Sequence, residues 1–390
     1  MSEFVPGNRI SLLRTGSEYF PALEAAIDGA RLQIHLETYI FEADETGRAI
    51  AAALSRAAAR GVVTHVLIDG FGSKNLDPEV IDDMRAAGVR LLKFRPEISP
   101  WTFKRQRLRR LHRKLVVIDG ELAFVGGINV IDDMHTPGHV PPRFDYAVKI
   151  EGPLLADIQA AATTLWRYVS WTQLRRQDGP AHAVPVQTAP RGNQRAAFVI
   201  RDNLRHRTDI ESAYLAAIAS ARSEIVIACA YFFPGRTFRR ALIDAAARGV
   251  RVVLLLQGRV EYLLLHYASR ALYLHFLNAG VEILEYRRSF LHAKVAVIDN
   301  RWATVGSSNI DPMSLLLARE ANVLIDDAVF ARELRLSLNE AIEAGAQPVL
   351  RTRWERQSHT LPMRIMTWFC YGLVRFLTGW SSYGRAREYQ

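Results

Sequence analysis

Two segments of the chain carry the same reactive side chains at the same spacing. The first, LHRKLVVIDGELAFVGGIN, places His112, Lys114, Asp119 and Asn129; the second, LHAKVAVIDNRWATVGSSN, places His292, Lys294, Asp299 and Asn309. In both, histidine and lysine stand two residues apart, so on an extended strand they share a face. The pairs Asp119-Gly120 and Asp299-Asn300 read as two-residue hairpin turns. Each returning strand ends in small residues (Gly126 and Gly127, or Gly306, Ser307 and Ser308), where backbone approaches a ligand closely. Each segment therefore offers an imidazole, an ammonium and an amide to one spot. That set suits a phosphodiester, which needs positive donors around its oxygens, a nucleophile, and a proton for the departing alkoxide. Lys114, Lys294, Asn129 and Asn309 supply the donors, and the histidines divide attack and proton transfer. Lysine makes the coincidence sharp: only six of the 50 basic residues are lysines, and two of those six fall at matching places.

The elements that must position these segments are themselves repeated. AAIDGARLQIHLETYIF (25 to 41) resembles LAAIASARSEIVIACAYFF (215 to 233), SRAAARGVVTHVLIDG resembles DAAARGVRVVLLLQG, and RAAGVRLLKF resembles LNAGVEILEY. Each copy reads as helix, apolar strand, helix ending in Arg-Gly, apolar strand, helix ending in Ala-Gly, then strand. The pattern predicts an α/β fold with mostly parallel sheets and helices on both faces. The Pro- and Gly-rich stretch RRQDGPAHAVPVQTAPRGNQ reads as a linker. The organisation expected is residues 1–175, a linker at 176–194, residues 195–350, and a separate tail at 351–390.

Composition excludes several classes. With 390 residues, 49% of them hydrophobic, the chain is long enough for real cores and too apolar for disorder. Cys229 and Cys370 cannot form a disulfide framework. The first thirty residues lack a signal-peptide pattern, which predicts a chain that starts in the cytoplasm. No H-E-x-x-H, cysteine pair or carboxylate cluster accompanies the motifs, so no metal is expected, and no phosphate-binding glycine loop implies a nucleotide cofactor. His35, His65, His266 and His275 sit in apolar elements and read as core or interface residues. The net charge of +10, nearly all of it from arginine, reads either as codon bias or as attraction to phosphate, on nucleic acid or on an anionic membrane.

With both motifs quoted, the sequence resembles the phospholipase D superfamily, and within it the bacterial cardiolipin synthases that lack an N-terminal transmembrane pair. LETYIFEADETGRAI, LIDGFGS, MHTPGH and DYAVKIEGP carry the finer likeness. The resemblance implies two tandem domains related by a pseudo-twofold with one shared active site. It implies His112 as nucleophile and His292 as acid/base, although the repeat's symmetry allows the reverse. It also implies that Asp145, 33 residues after His112, and Glu320, 28 after His292, each orient the histidine of the opposite half. Glu320 departs toward a longer side chain, which puts its reach in question. Asp119 and Asp299 are read as structural hairpin groups, off the phosphate. The substrates implied are anionic phospholipids on the cytoplasmic face of a bacterial membrane, with peripheral attachment, no nucleic acid and no metal. Met363 to Trp380 (MRIMTWFCYGLVRFLTGW), too broken by arginines to span, suits an interfacial helix. Val260 to Leu277 is a greasy segment where the first copy is polar, and the basic run around Trp101, Lys104, Arg105, Arg107, Arg109 and Arg110 suits lipid headgroups. A nuclease, a plain hydrolase or a non-catalytic adaptor of the same superfamily are the competing readings.

Overall fold

The computed structural model describes residues 3–95, 109–134, 136, 140–173, 184–202, 205–259, 263–311, 318–352, 354, 366–367 and 369–373. The first half runs β1 (Val5–Arg14), α1 (Thr15–Gly29), β2 (Gln33–Thr38), α2 (Glu45–Ala59), β3 (Val63–Asp69), α3 (Pro78–Ala86), β4 (Arg90–Phe94), β5 (Arg110–Leu111), β6 (Lys114–Ile118), β7 (Leu122–Gly126), β8 (Tyr146–Glu151) and α4 (Leu155–Thr172). The second repeats it as β9 (Gln194–Arg201), α5 (Asp209–Ser220), β10 (Glu224–Cys229), α6 (Arg236–Ala247), β11 (Arg251–Gln257), α7 (Leu263–Arg270), α8 (Tyr273–Asn278), β12 (Glu282–Tyr286), β13 (Lys294–Ile298), β14 (Trp302–Gly306), β15 (Ala318–Asp326), α9 (Ala328–Gly345) and β16 (Ala346–Pro348).

The described strands form one continuous sheet in the order β16-β12-β11-β10-β13-β14-β15-β9-β1-β8-β7-β6-β2-β3-β4, with β5 paired to β15. The halves meet where β1 runs antiparallel to its counterpart β9. The α/β class stands, and the outer strands β2-β3-β4 and β10-β11-β12 are parallel as that class requires. The inner strands are antiparallel, which makes the sheet as a whole mixed. For β6–β7 and β13–β14 turn length is the reason. The motif hairpins, expected to close within two residues, connect through three, residues 119–121 and 299–301, of which Asp119, Gly120, Asp299 and Asn300 have positive φ, and so short a turn can only reverse the chain.

Apolar alternation assigns the faces. Leu23, Ile27, Ile50, Leu54 and Ile81 of α1 to α3 cover one face of the first half, and Ile210, Phe238, Leu242 and Phe276 do the same in the second. A third core joins the halves: Val125, Tyr146 and Val148 pack with Val305, Val323, Phe330 and Leu334, and the Tyr146 hydroxyl bonds Ser337 Oγ at 2.8 Å. His35 and His65 lie in the back layer, His65 stacked on Trp166 at 4.2 Å, where burial lowers both. Of the tail, the described residues are helical; Cys370 is buried in the second core and Tyr371 packs on Phe233, while Phe369 is 65% exposed. The remainder of Met363 to Trp380, Trp101 to Arg107, His135 and His139 lie outside the described residues.

The motif aspartates fasten the hairpins to the sheet. Asp119 accepts the backbone N–H groups of Arg31, Leu32 and Gln33 at 2.8 Å each, and Asp299 those of Arg222 and Ser223 at 2.8 Å and Glu224 at 2.9 Å. Both clamp the entrance of the strand beside their own motif strand, and among the described residues neither is hydrogen-bonded to a motif histidine, lysine or asparagine side chain. Asp119→Ala is therefore expected to cost about 2 kcal/mol of stability, the scale of hydrogen bonds to a charged acceptor, read as a lower urea midpoint. Unchanged stability would contradict the clamp.

Candidate active site

Each histidine sits at the mouth of a motif strand whose backbone is paired with the other half. His112 N–H donates to Arg319 O at 2.9 Å, and β5 pairs in parallel with the start of β15. His292 N–H donates to Phe144 O at 2.8 Å, beside the Phe144–Leu291 bridge. The residue following each acceptor is a carboxylate, so the pairing delivers Glu320 to His112 and Asp145 to His292. His112 Nδ1 lies 2.9 and 3.0 Å from the two Glu320 oxygens, and His292 Nδ1 lies 2.6 Å from Asp145 Oδ2. A carboxylate at Nδ1 fixes the proton there and leaves the Nε2 lone pair for chemistry. The question of Glu320's reach is answered by geometry: the longer side chain bonds with both oxygens.

A compensating exchange explains the two carboxylate lengths. A Cβ on Gly127 would fall 2.4 Å from Asp145 Oδ1 and 2.6 Å from Oδ2, so the short aspartate lies where that side chain would be. At the corresponding place the second half has Ser307, whose hydroxyl donates to Glu320 Oε2 at 2.5 Å. Sequence reasoning had counted Ser307 only as small; its alignment opposite Gly127, together with aspartate against glutamate, was the available signal.

The remaining predicted residues converge on the same place. Lys114 and Lys294 are buried, and each ammonium donates to the carbonyl of its own histidine, at 2.6 Å for Lys114. Lys294 Nζ also stands 3.9 Å from Asp145 Oδ2. Asn129 Oδ1 accepts the N–H of Ile40 at 3.1 Å, and Asn309 Oδ1 that of Tyr231 at 3.4 Å, which leaves each NH2 as the donating end. Tyr39, not anticipated from sequence, packs its ring 4.9 Å from His112 and 5.5 Å from Lys114 Nζ; the second half has Ala230 there. Electrostatics joins the clusters: His112 responds to Lys294, and His292 to Lys114 and His112.

Burial dominates the titration of the site. It holds both imidazoles below their usual value, with Glu320 pulling His112 back up and Lys294 pushing His292 further down. It lowers Lys114 to about 7 and raises Asp145 to about 6 against the pull of Lys294. Two lysines and two carboxyl groups surround the two rings, whose burial disfavours the charged imidazole, so the negative charge of an arriving phosphodiester would favour protonating one histidine. Among the described residues no group of three or more histidine, cysteine or carboxylate side chains is arranged to hold a metal ion.

A family model described as "Cardiolipin synthase, PLD-like domain" matches residues 23–139 and 214–342, the two stretches that contain the motifs. The chain belongs to this family. It is similar to cardiolipin synthase B of Escherichia coli, 41% identical over 93% of this chain and 89% of that protein. It is also similar to the probable cardiolipin synthase YwiE of Bacillus subtilis, 33% identical over 86% of this chain and 66% of that protein. Among solved structures, phosphatidylserine synthase of Haemophilus influenzae shares the fold, with a TM-score of 0.69 at 14% identity, covering 98% of this chain and 95% of that one.

Within this PLD-like family geometry, Gly127→Ala is the sharpest probe, because the added methyl must displace the carboxylate that holds His292. Misplacing a catalytic group by about 1 Å costs on the order of a hundredfold, so activity on phospholipid vesicles should fall by about that factor while circular dichroism stays unchanged. A fully active variant would contradict an orienting role for Asp145.

Proposed function

We propose that the chain is a phosphatidyltransferase that makes cardiolipin from phosphatidylglycerol and a second phospholipid alcohol. The observation that carries the reading is the pair of histidines, each held at Nδ1 by a carboxylate of the opposite half, beside two buried lysines. The family and its curated relatives support the same chemistry.

The residues divide the work as follows. His112 Nε2 attacks phosphorus; the bond to the headgroup glycerol breaks, and His292 gives that oxygen its proton. The phosphatidyl group is then held on His112. The hydroxyl of the acceptor lipid loses its proton to His292 and attacks phosphorus, releasing His112, so two phosphatidylglycerols become one cardiolipin and one glycerol. Lys114, Lys294, Asn129 and Asn309 neutralise the phosphoryl oxygens throughout, a role that in other phosphoryl transfers a metal ion fills. Asp145 and Glu320 keep the rings in the reactive tautomer.

The same reading puts the enzyme peripherally on the cytoplasmic face of an anionic bacterial membrane. Supporting it are the net charge of +10 and the exposed Met366 and Phe369 of the tail helix. No helix among the described residues is long and apolar enough to cross a membrane.

Mass analysis of the lipids formed on vesicles of phosphatidylglycerol and phosphatidylethanolamine tests the proposal. Cardiolipin should appear with equimolar glycerol when phosphatidylglycerol is donor. Phosphatidic acid as sole product would make the enzyme a hydrolase, and turnover of DNA instead of lipid would make it a nuclease. His112→Ala and His292→Ala should each abolish turnover, with the double variant no worse than either, because the two act as one unit. A single variant retaining a tenth of the activity would sink the paired mechanism.

A further inference from the structure

One cation beside the site has no task in the chemistry above. Arg143 stands two residues before Asp145, and its backbone N–H donates to Asp133 O at 2.9 Å. Its guanidinium lies over the Phe290 ring, with Cζ 5.0 Å from the centroid, and Phe290 stacks on the His292 ring at 6.1 Å with 26° between the planes. The arginine charge is felt at both His292 and Asp145. Its Nε is buried and, among the described residues, has no hydrogen-bond partner. Asp133, on which Arg143 also acts, has its carboxylate taken by Gly16 N–H at 2.5 Å.

The pseudo-twofold supplies a contrast. Across the β5–β15 pair, Arg110 stands opposite Ala318 on the His112 side. At the equivalent Phe144–Leu291 bridge, the corresponding residues are Arg143 and Phe290. Each histidine thus has one arginine next to it, carried on opposite strands. Arg110 Nη1 stands at ion-pair distance from Asp69, 3.9 Å, although it too is buried without a hydrogen-bond partner among the described residues, and the Asp69 carboxylate accepts the Leu111 N–H at 2.8 Å. Arg143 has no comparable carboxylate partner among the described residues.

A phospholipid acceptor differs from water or a small alcohol in one respect that matters here. It brings its own phosphodiester anion, tethered to the attacking hydroxyl by the three carbons of glycerol. The two lysines and two asparagines are already engaged with the phosphoryl group in transfer, so a second anion beside His292 needs a second cation. A guanidinium binds such an anion through paired N–H donors. We propose that Arg143 binds the phosphodiester of the acceptor phospholipid and positions its hydroxyl at His292, so that a lipid acceptor is preferred over water or a small alcohol.

The inference rests on the phosphatidyl-transfer reading, with His292 serving the acceptor. Its test is a competition: phosphatidylglycerol vesicles with added ethanol, and cardiolipin, phosphatidylethanol and phosphatidic acid quantified together. Arg143→Gln should lower the ratio of cardiolipin to phosphatidylethanol by about tenfold, the scale of one charge-assisted contact, and Arg143→Lys should recover part of it. General damage to the fold would lower all three products alike, so an unchanged ratio in Arg143→Gln overturns the assignment. A ratio that collapses in Arg110→Gln while Arg143→Gln keeps it would overturn it too, placing the acceptor beside His112. A wild-type enzyme that makes only phosphatidic acid would overturn the transfer reading itself, and the role of Arg143 with it.

Discussion

Two backbone hydrogen bonds across the midline, His112 N–H to Arg319 O and His292 N–H to Phe144 O, hold the two histidine–carboxylate pairs in place. Each joins the first residue of one motif to the residue just before a carboxylate of the other half. Side-chain geometry follows from that register, since a neighbour on a paired strand has little freedom to aim elsewhere. Neither half alone brings a histidine together with its carboxylate. The continuous sheet through β1 and β9, and the shared core around Tyr146, Val323 and Phe330, serve to keep the two pairings in register.

Burial then turns arrangement into reactivity. Lys114, Lys294, Asp145 and Glu320 are almost wholly removed from water, an expensive condition for isolated charges. The cost is offset by opposition of charge and by full use of hydrogen bonds: Ser307 for Glu320, the Tyr146 N–H for Asp145, the histidine carbonyls for the lysines. In this low-dielectric setting the imidazoles stay neutral, which suits a nucleophile, and an anionic phosphodiester is itself the charge that recruits a proton for the departing oxygen. In the proposed mechanism the site is thereby tuned by its substrate.

Much of this was legible in the sequence because a repeat checks itself. The i and i+2 placement of His112 with Lys114, the Asp-Gly and Asp-Asn turns, and the alternation of Ala-rich helices with β-branched strands are local signals, and the fold keeps all of them. The antiparallel pairing of β6 with β7 and of β13 with β14 was also implicit in the Asp-Gly and Asp-Asn turns, whereas the helix-strand alternation of the outer strands points to parallel pairing. Strands β1 and β9 carried no motif and were not foreseen; their role is pairing at the midline, which no local pattern encodes. The partnership of Asp145 with His292 and Glu320 with His112 came through family resemblance, because spacing along one chain cannot say which half a carboxylate will face. Tyr39, Ser307 and Arg143 were missed for a related reason. They sit where the two copies differ, and a search for what the copies share passes over them.

The shared site makes its most direct claim about where the phosphatidyl group resides between the two steps. Rapid acid-free quenching of the enzyme during turnover of phosphatidylglycerol, followed by proteolysis and mass spectrometry, locates that group. A single-site division of labour predicts the adduct on the peptide containing His112 and none on the peptide containing His292. An adduct on His292 would reverse the two roles, and turnover without a histidine adduct at either position would contradict covalent catalysis by this pair.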